Sequence, residues 1–189
     1  MLRTALRCLP RSATLVALAL AGTTVLAQSA DAPDSLFDHS LRRLHADEVV
    51  QLAERYAGHP VLVVNTASHC GFTRQFRQLE TLHQRYKDKG LKVAGFPSDD
   101  FRQEADDEAK TAEVCFENFG VTFDMYAPIP VTGEAAHPIF REIARQSSAP
   151  EWNFHKYVLN TKGELVGSFS SFVTPQSDKL VKLIEANLP

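Results

Sequence analysis

Cysteine is scarce in this chain: three residues in 189, at positions 8, 70 and 115, with no CxxC pair and no second cysteine near Cys70. The glycine-rich loop that cradles phosphate is missing, internal repeats are missing, and the seven histidines show no metal-ligand spacing, so solvated or structural roles are their default. Only 9 glycines and 10 prolines, with 44% hydrophobic and 23% charged residues, leave no compositional case for disorder, collagen or a coiled coil. The length suits one domain with a real core and is short for two. An excess of positive charge is also absent. The formal charge is −3, and setting aside the three arginines before residue 28, the only charges there, takes it from −3 to −6. Such a surface excludes nucleic acid or an anionic membrane as the main partner.

Those arginines, Arg3, Arg7 and Arg11, precede an apolar run from Ala13 to Leu20 that continues to Ala27. The pattern is that of a secretory signal peptide over residues 1–27, with Val25 and Ala27 as the small residues before the cleavage point. The run is shorter than the ~20 residues that cross a bilayer and is interrupted by Gly22, Thr23 and Thr24, so no stable membrane insertion is expected after processing. Export, in a bacterium to the periplasm, removes Cys8 and leaves Cys70 and Cys115 where disulfides persist. Residues 28–35 read as a flexible lead-in and 36–189 as the folded domain.

Val61-Leu62-Val63-Val64 reads as a strand buried on both faces. After the loop Asn65–Thr73, apolar residues Phe76, Leu79, Leu82 and Tyr86 predict a helix over 74–87, stopped by Gly90. Residues 91–96 form the next strand, giving a right-handed crossover with parallel strands. A helix over 107–119 is expected to bury Ala112, Cys115, Phe116 and Phe119, and a short one comes after it over 137–144. Strands 156–159 and 165–169 flank the turn Asn160–Gly163 as a hairpin. A last helix spans 176–187. This order predicts an α/β, thioredoxin-like fold with a mixed central β-sheet flanked by helices.

Cys70 falls between a buried strand and a helix N-terminus, where free N–H groups and the helix dipole favour a thiolate. Strand-to-helix loops at the carboxyl edge of a sheet are also where such folds carry reactive groups. His69 adjoins it and could add positive charge. Trp152-Asn153-Phe154 contains the only tryptophan. Its indole N–H and the carboxamide are donors that can hold a thiolate, and later a sulfenate.

The loop Asn65–Thr73, with Gly95-Phe96-Pro97 followed by Phe101, and Trp152-Asn153-Phe154, together resemble the three motifs of the glutathione peroxidase family. Asn118–Phe123 and His137-Pro138 extend the resemblance from about Leu36 to Pro175. It implies a thioredoxin-like fold, Cys70 as the peroxidatic residue, and Trp152 and Asn153 as members of a catalytic tetrad. Where the family has the glutamine of that tetrad, this chain has Asp100. A carboxylate ~4 Å from a thiolate costs about 4 kcal/mol at an effective dielectric of ~20, so Asp100 must be protonated, turned away or bridged by water. Cys115, 45 residues after Cys70, matches the resolving cysteine of the thioredoxin-dependent branch. Its expected burial requires the helix to open locally before the sulfurs can meet. The short stretch between Pro138 and Trp152 lacks the insertion that resembles a tetramer interface, implying a monomer or weak dimer.

The expectation is a thiol peroxidase reducing hydrogen peroxide and organic hydroperoxides, with Cys70, Cys115, Trp152, Asn153 and Asp100 at its site. The reductant is a thioredoxin-like dithiol protein or glutathione, the former favoured by Cys115, and thiol chemistry calls for no metal or organic cofactor. The competing readings are a thiol-disulfide oxidoreductase or peroxide sensor using the same pair, and an inactive thioredoxin-like binding module, which Asp100 favours.

Overall fold

A computed structural model of the chain describes residues 36–189. The expected leader and lead-in, residues 1–35, lie outside the described residues. Within them no helix is long and apolar enough to cross a membrane.

The sheet is built around β3 (Val61–Thr66), all six residues of which are buried. Successive side chains point to opposite faces. Leu62 and Val64 accordingly enter one core, while Val61 and Val63 enter the other. β4 (Lys92–Pro97) lies parallel to β3, with Val61 opposite Lys92 and Thr66 opposite Pro97. On its other side β3 pairs antiparallel with β6 (Lys156–Leu159), which forms the expected hairpin with β7 (Leu165–Phe169). The two-residue β5 (Asp124–Met125) completes the order β5-β4-β3-β6-β7. It lies so close to β4 that a Cβ on Gly95 would meet the Met125 sulfur at 2.2 Å. The sheet is mixed, and helices cover both faces.

On the first face α2 (Gln75–Tyr86) buries Phe76, Leu79, Leu82 and Tyr86, the apolar series read from the sequence. A 3₁₀ turn over Lys87–Lys89 comes next, and Gly90, at φ +98°, ends it. The carboxyl-terminal α5 (Asp178–Glu185) joins this face through Leu180 and Ile184, and is shorter than the expected 176–187. The opposite face is covered by α4 (Pro138–Gln146), whose N-terminus is capped by the His137 side chain, and by α1 (Leu52–Tyr56). Ahead of α1, β1 (Ser40–Arg42) and β2 (Val49–Gln51) form a separate antiparallel pair.

The helix expected over 107–119 is not continuous. Asp107 caps α3 (Glu108–Ala112) by accepting the Lys110 N–H at 2.9 Å, and the chain then widens into a π-helix over Glu113–Asn118. The wider turn breaks the expected apolar face: Ala112 and Cys115 are buried, but Phe116 is 39% exposed. Periodicity assumes 3.6 residues per turn, and a π-turn shifts the face for every residue within it.

Candidate active site

The carboxyl ends of β3 and β4, the loop before α2 and the segment before β6 meet at one end of the sheet. Cys70, 6% exposed, is held by its own loop. Its carbonyl accepts from Thr73 Oγ1 at 2.6 Å and from the Thr73 N–H at 3.0 Å. The Phe72 N–H donates to Cys70 Sγ at 3.4 Å. The Gln75 and Phe76 N–H groups bond back to Phe72 and Thr73, so the loop winds directly into α2. The sulfur thus sits under a free donor at a helix start, where negative charge is favoured. His69 contributes through its backbone: its N–H bonds to the Gln103 carbonyl at 2.8 Å while the residue itself is exposed.

The second part of the site is fastened to β3 by Asn65, a fully buried polar residue in an otherwise apolar strand. Asn65 Nδ2 donates to the Trp152 carbonyl at 3.1 Å, its Oδ1 accepts the His155 N–H at 3.0 Å, and its carbonyl accepts the Phe154 N–H at 2.7 Å. Phe154 adopts φ +62°, and buried Lys156 donates from Nζ to its carbonyl at 2.6 Å. Burial without a counter-charge lowers the lysine to about 7. Trp152 stays 40% exposed and packs on Phe101, ring centres 5.2 Å apart. Asn153 is fully buried; its Nδ2 donates to Gln103 Oε1 at 3.2 Å, and its Oδ1 has no partner.

Asp100 turns its carboxylate onto the segment after β5. Its Oδ2 accepts the Val131 N–H at 2.6 Å, the Thr132 N–H at 2.7 Å and the Thr132 hydroxyl at 3.0 Å. Among the described residues, none of its hydrogen bonds reaches Cys70, Trp152 or Asn153. Of the three alternatives open to it, turning away is the one found.

Cys115 is 1% exposed and, like Cys70, a free thiol packed in the first core. Burial first, and then the Glu104 carboxylate, push it up to about 12. Glu104 bridges the two cysteine-bearing segments. Its Oε1 accepts from the Ser68 hydroxyl, from Thr111 Oγ1 at 3.0 Å and from the Ala105 N–H at 2.8 Å. The expected need for opening therefore has a structural address: the bonds from Glu104 and the π-helix itself. An open depression of about 440 Å³, lined by His45, Lys110, Glu113 and Phe116 among others, runs along the outer side of this segment and does not include Cys70. On the Cys70 side, Phe172 is 82% exposed and meets Phe72 edge-on at 5.3 Å, its loop tied to α2 by Gln75 Nε2 on the Ser171 carbonyl.

Asn65, Gln103, Glu104 and Lys156 received no role from the sequence. A polar residue inside a β-branched run was the available signal for Asn65, and a lysine among strand residues for Lys156. Gln103 and Glu104 lie in a polar run with nothing to mark them.

Residues 36–144 match the family model for glutathione peroxidase. The chain is 40% identical over 139 residues to the glutathione peroxidase homolog BsaA of Bacillus subtilis (strain 168), covering 69% of this chain and 87% of that protein. It is 32% identical over 170 residues to the thioredoxin/glutathione peroxidase BtuE of Escherichia coli (strain K12), covering 75% and 92%. The crystal structure of Trgpx in apo form superposes with a TM-score of 0.62 at 32% identity, over 82% of this chain and 98% of that one.

Proposed function

The chain belongs to the glutathione peroxidase family and is a thiol peroxidase of thioredoxin-like fold, and from that premise we propose that Cys70 is the peroxidatic residue and Cys115 the resolving one. The observation that carries this reading is the Cys70 sulfur held beneath the Phe72 N–H at the start of α2, with the Trp152-Asn153 segment fastened beside the same strand end by Asn65.

The Cys70 thiolate attacks the distal oxygen of a hydroperoxide. The S–O bond forms as the O–O bond breaks, the alcohol or water leaves with a proton, and Cys70 becomes a sulfenic acid. Trp152 and Asn153 offer N–H donors to the sulfur and its bound oxygen. Cys115 then gives up its thiol proton and displaces the sulfenic hydroxyl as water, forming the Cys70–Cys115 disulfide. An external dithiol returns both sulfurs to thiols by exchange. The resolving cysteine supports a thioredoxin-like dithiol protein as donor, as does the E. coli relative, whose name couples thioredoxin with glutathione peroxidase. The exposed Phe172 against Phe72, two residues beyond Cys70, supports organic hydroperoxides alongside hydrogen peroxide. Asp100, the feature that favoured an inactive module, is occupied elsewhere. The arginine-led apolar run at the start of the sequence supports export, and the short stretch before Trp152 supports a monomer or weak dimer.

The test is stopped-flow oxidation of the reduced protein by hydrogen peroxide and an organic hydroperoxide, followed by mass mapping of the product. Fast oxidation ending in a Cys70–Cys115 disulfide is expected, with Cys70→Ser inert. Oxidation no faster than that of a free thiol would sink the assignment of Cys70.

A further inference from the structure

We propose that Gln103 is a positioning residue of the peroxide-reducing site: it fixes the side-chain amide of Asn153, a task that Asp100 does not perform. The inference rests on the assignment of Cys70 and Asn153 above and adds a residue to it.

The loop after β4 is shaped to deliver this side chain. The Arg102 N–H closes a turn on the Asp99 carbonyl at 2.7 Å, Arg102 takes φ +55°, and the Glu104 N–H bonds to Asp99 Oδ1 at 3.2 Å. A left-handed arginine is strained, and such strain persists only where the surroundings impose it. Its result is that Gln103 touches both halves of the site. Its carbonyl accepts the N–H of His69, the residue before Cys70, at 2.8 Å, and its Oε1 accepts from Asn153 Nδ2 at 3.2 Å.

The backbone around Asn153 is already pinned by Asn65 and by Lys156 on the Phe154 carbonyl. What remains free is the rotation of the Asn153 amide, which decides which of its ends faces the sulfur. Asn153 is fully buried, and Gln103 is the only hydrogen-bond partner of its side chain among the described residues; Oδ1 has none. Without Gln103 the amide would have no fixed orientation, and a donor that is not held in place stabilises developing charge poorly. Asp100 cannot substitute, because its Oδ2 already serves three donors of Val131 and Thr132.

The experiment measures the second-order rate constant for oxidation of Cys70 by hydrogen peroxide in the full-length protein. Four variants are compared with the unaltered chain: Gln103→Met, Gln103→Glu, Asn153→Ala, and Asn153→Ala combined with Gln103→Met. All keep the main-chain bond to His69. Gln103→Met is expected to lower the rate about tenfold, the worth of one oriented hydrogen bond. Gln103→Glu keeps an acceptor oxygen at the same reach and should stay within about threefold of the unaltered protein. In the Asn153→Ala background, where no amide remains to orient, adding Gln103→Met should cost less than about twofold. An unchanged rate in Gln103→Met, an equal loss in Met and Glu, or a full tenfold loss persisting without the Asn153 amide would each overturn the proposal while a fast unaltered protein leaves Cys70 assigned. A slow unaltered protein overturns both.

Discussion

A carboxylate where a carboxamide is expected invites a reading of loss, but the contacts of Asp100 show a different use. Two backbone N–H groups and a hydroxyl converge on one oxygen, which anchors residues 131–132 across from the end of β4. Asp100→Gln should therefore not raise the peroxidase rate. It should weaken a charge-assisted anchor and cost about 1–2 kcal/mol, lowering the thermal midpoint by roughly 2–8 °C for a domain of this size. Calorimetry and peroxide turnover on the same preparation check both halves, and a gain in rate would return Asp100 to the site. At this scale Cys70, Trp152 and Asn153 were legible because rare residue types stand in distinctive company. Asp100 was visible as a departure but its partner was not, since residues 131–132 are ordinary in sequence and reach it only through the fold. Gln103 was hidden for the same reason.

The elements divide by length and by hydrogen-bond register. β3, α2 and β4 are six to twelve residues long and carry enough apolar period to be read directly. β1, β2, β5 and α1 have two to five residues, too few for a period to show, and pairing across the chain creates them. The π-helix is invisible for another reason: the apolar pattern does not record whether a carbonyl is met five residues on or four. This segment carries Cys115, and its widened ladder is the weak point through which the thiol must emerge. Amides of residues 113–118 are expected to exchange with deuterium faster than those of α2 in the reduced protein, and faster still once the disulfide forms. Cys115→Ser should stop the reaction at the Cys70 sulfenic acid, detectable by dimedone labelling and mass spectrometry. A disulfide-free catalytic cycle running at full rate in that variant would remove Cys115 from the mechanism.

The whole molecule should be labile to acid. Burial is the leading cause that lowers His83, His137 and His155, His137 to about 4. Between that value and the ordinary 6.5 the unfolded chain holds protons that the native protein excludes, so stability falls as the pH falls through this window. Asp124 adds to the loss further down. It is buried between Arg43 and Arg55, which hold its carboxyl below the ordinary 3.8 against the cost of burial. Lys156 extends the same trend upward. Held at about 7 against 10.5 when unfolded, it makes stability rise with pH, until Cys115, whose thiol stays protonated beyond the ordinary 9.0, begins to work in the opposite sense. Thermal midpoints measured across pH should climb steeply from about 4 to 7 and more gently to about 9, and Lys156→Met should flatten the gentler part. A flat profile throughout would mean that the native protein admits these protons freely.

The π-helix also fixes how this stretch of chain tolerates changes of length. A π-turn holds one residue more than the α-turn it replaces, so deleting a single residue within Glu113–Asn118 allows the ladder to close as an ordinary helix. That deletion would act as a rotation of about 100° of the downstream chain relative to α3. Cys115 would keep its neighbours in sequence and exchange those in space, and so the number of residues here is as much a part of the site as their identity.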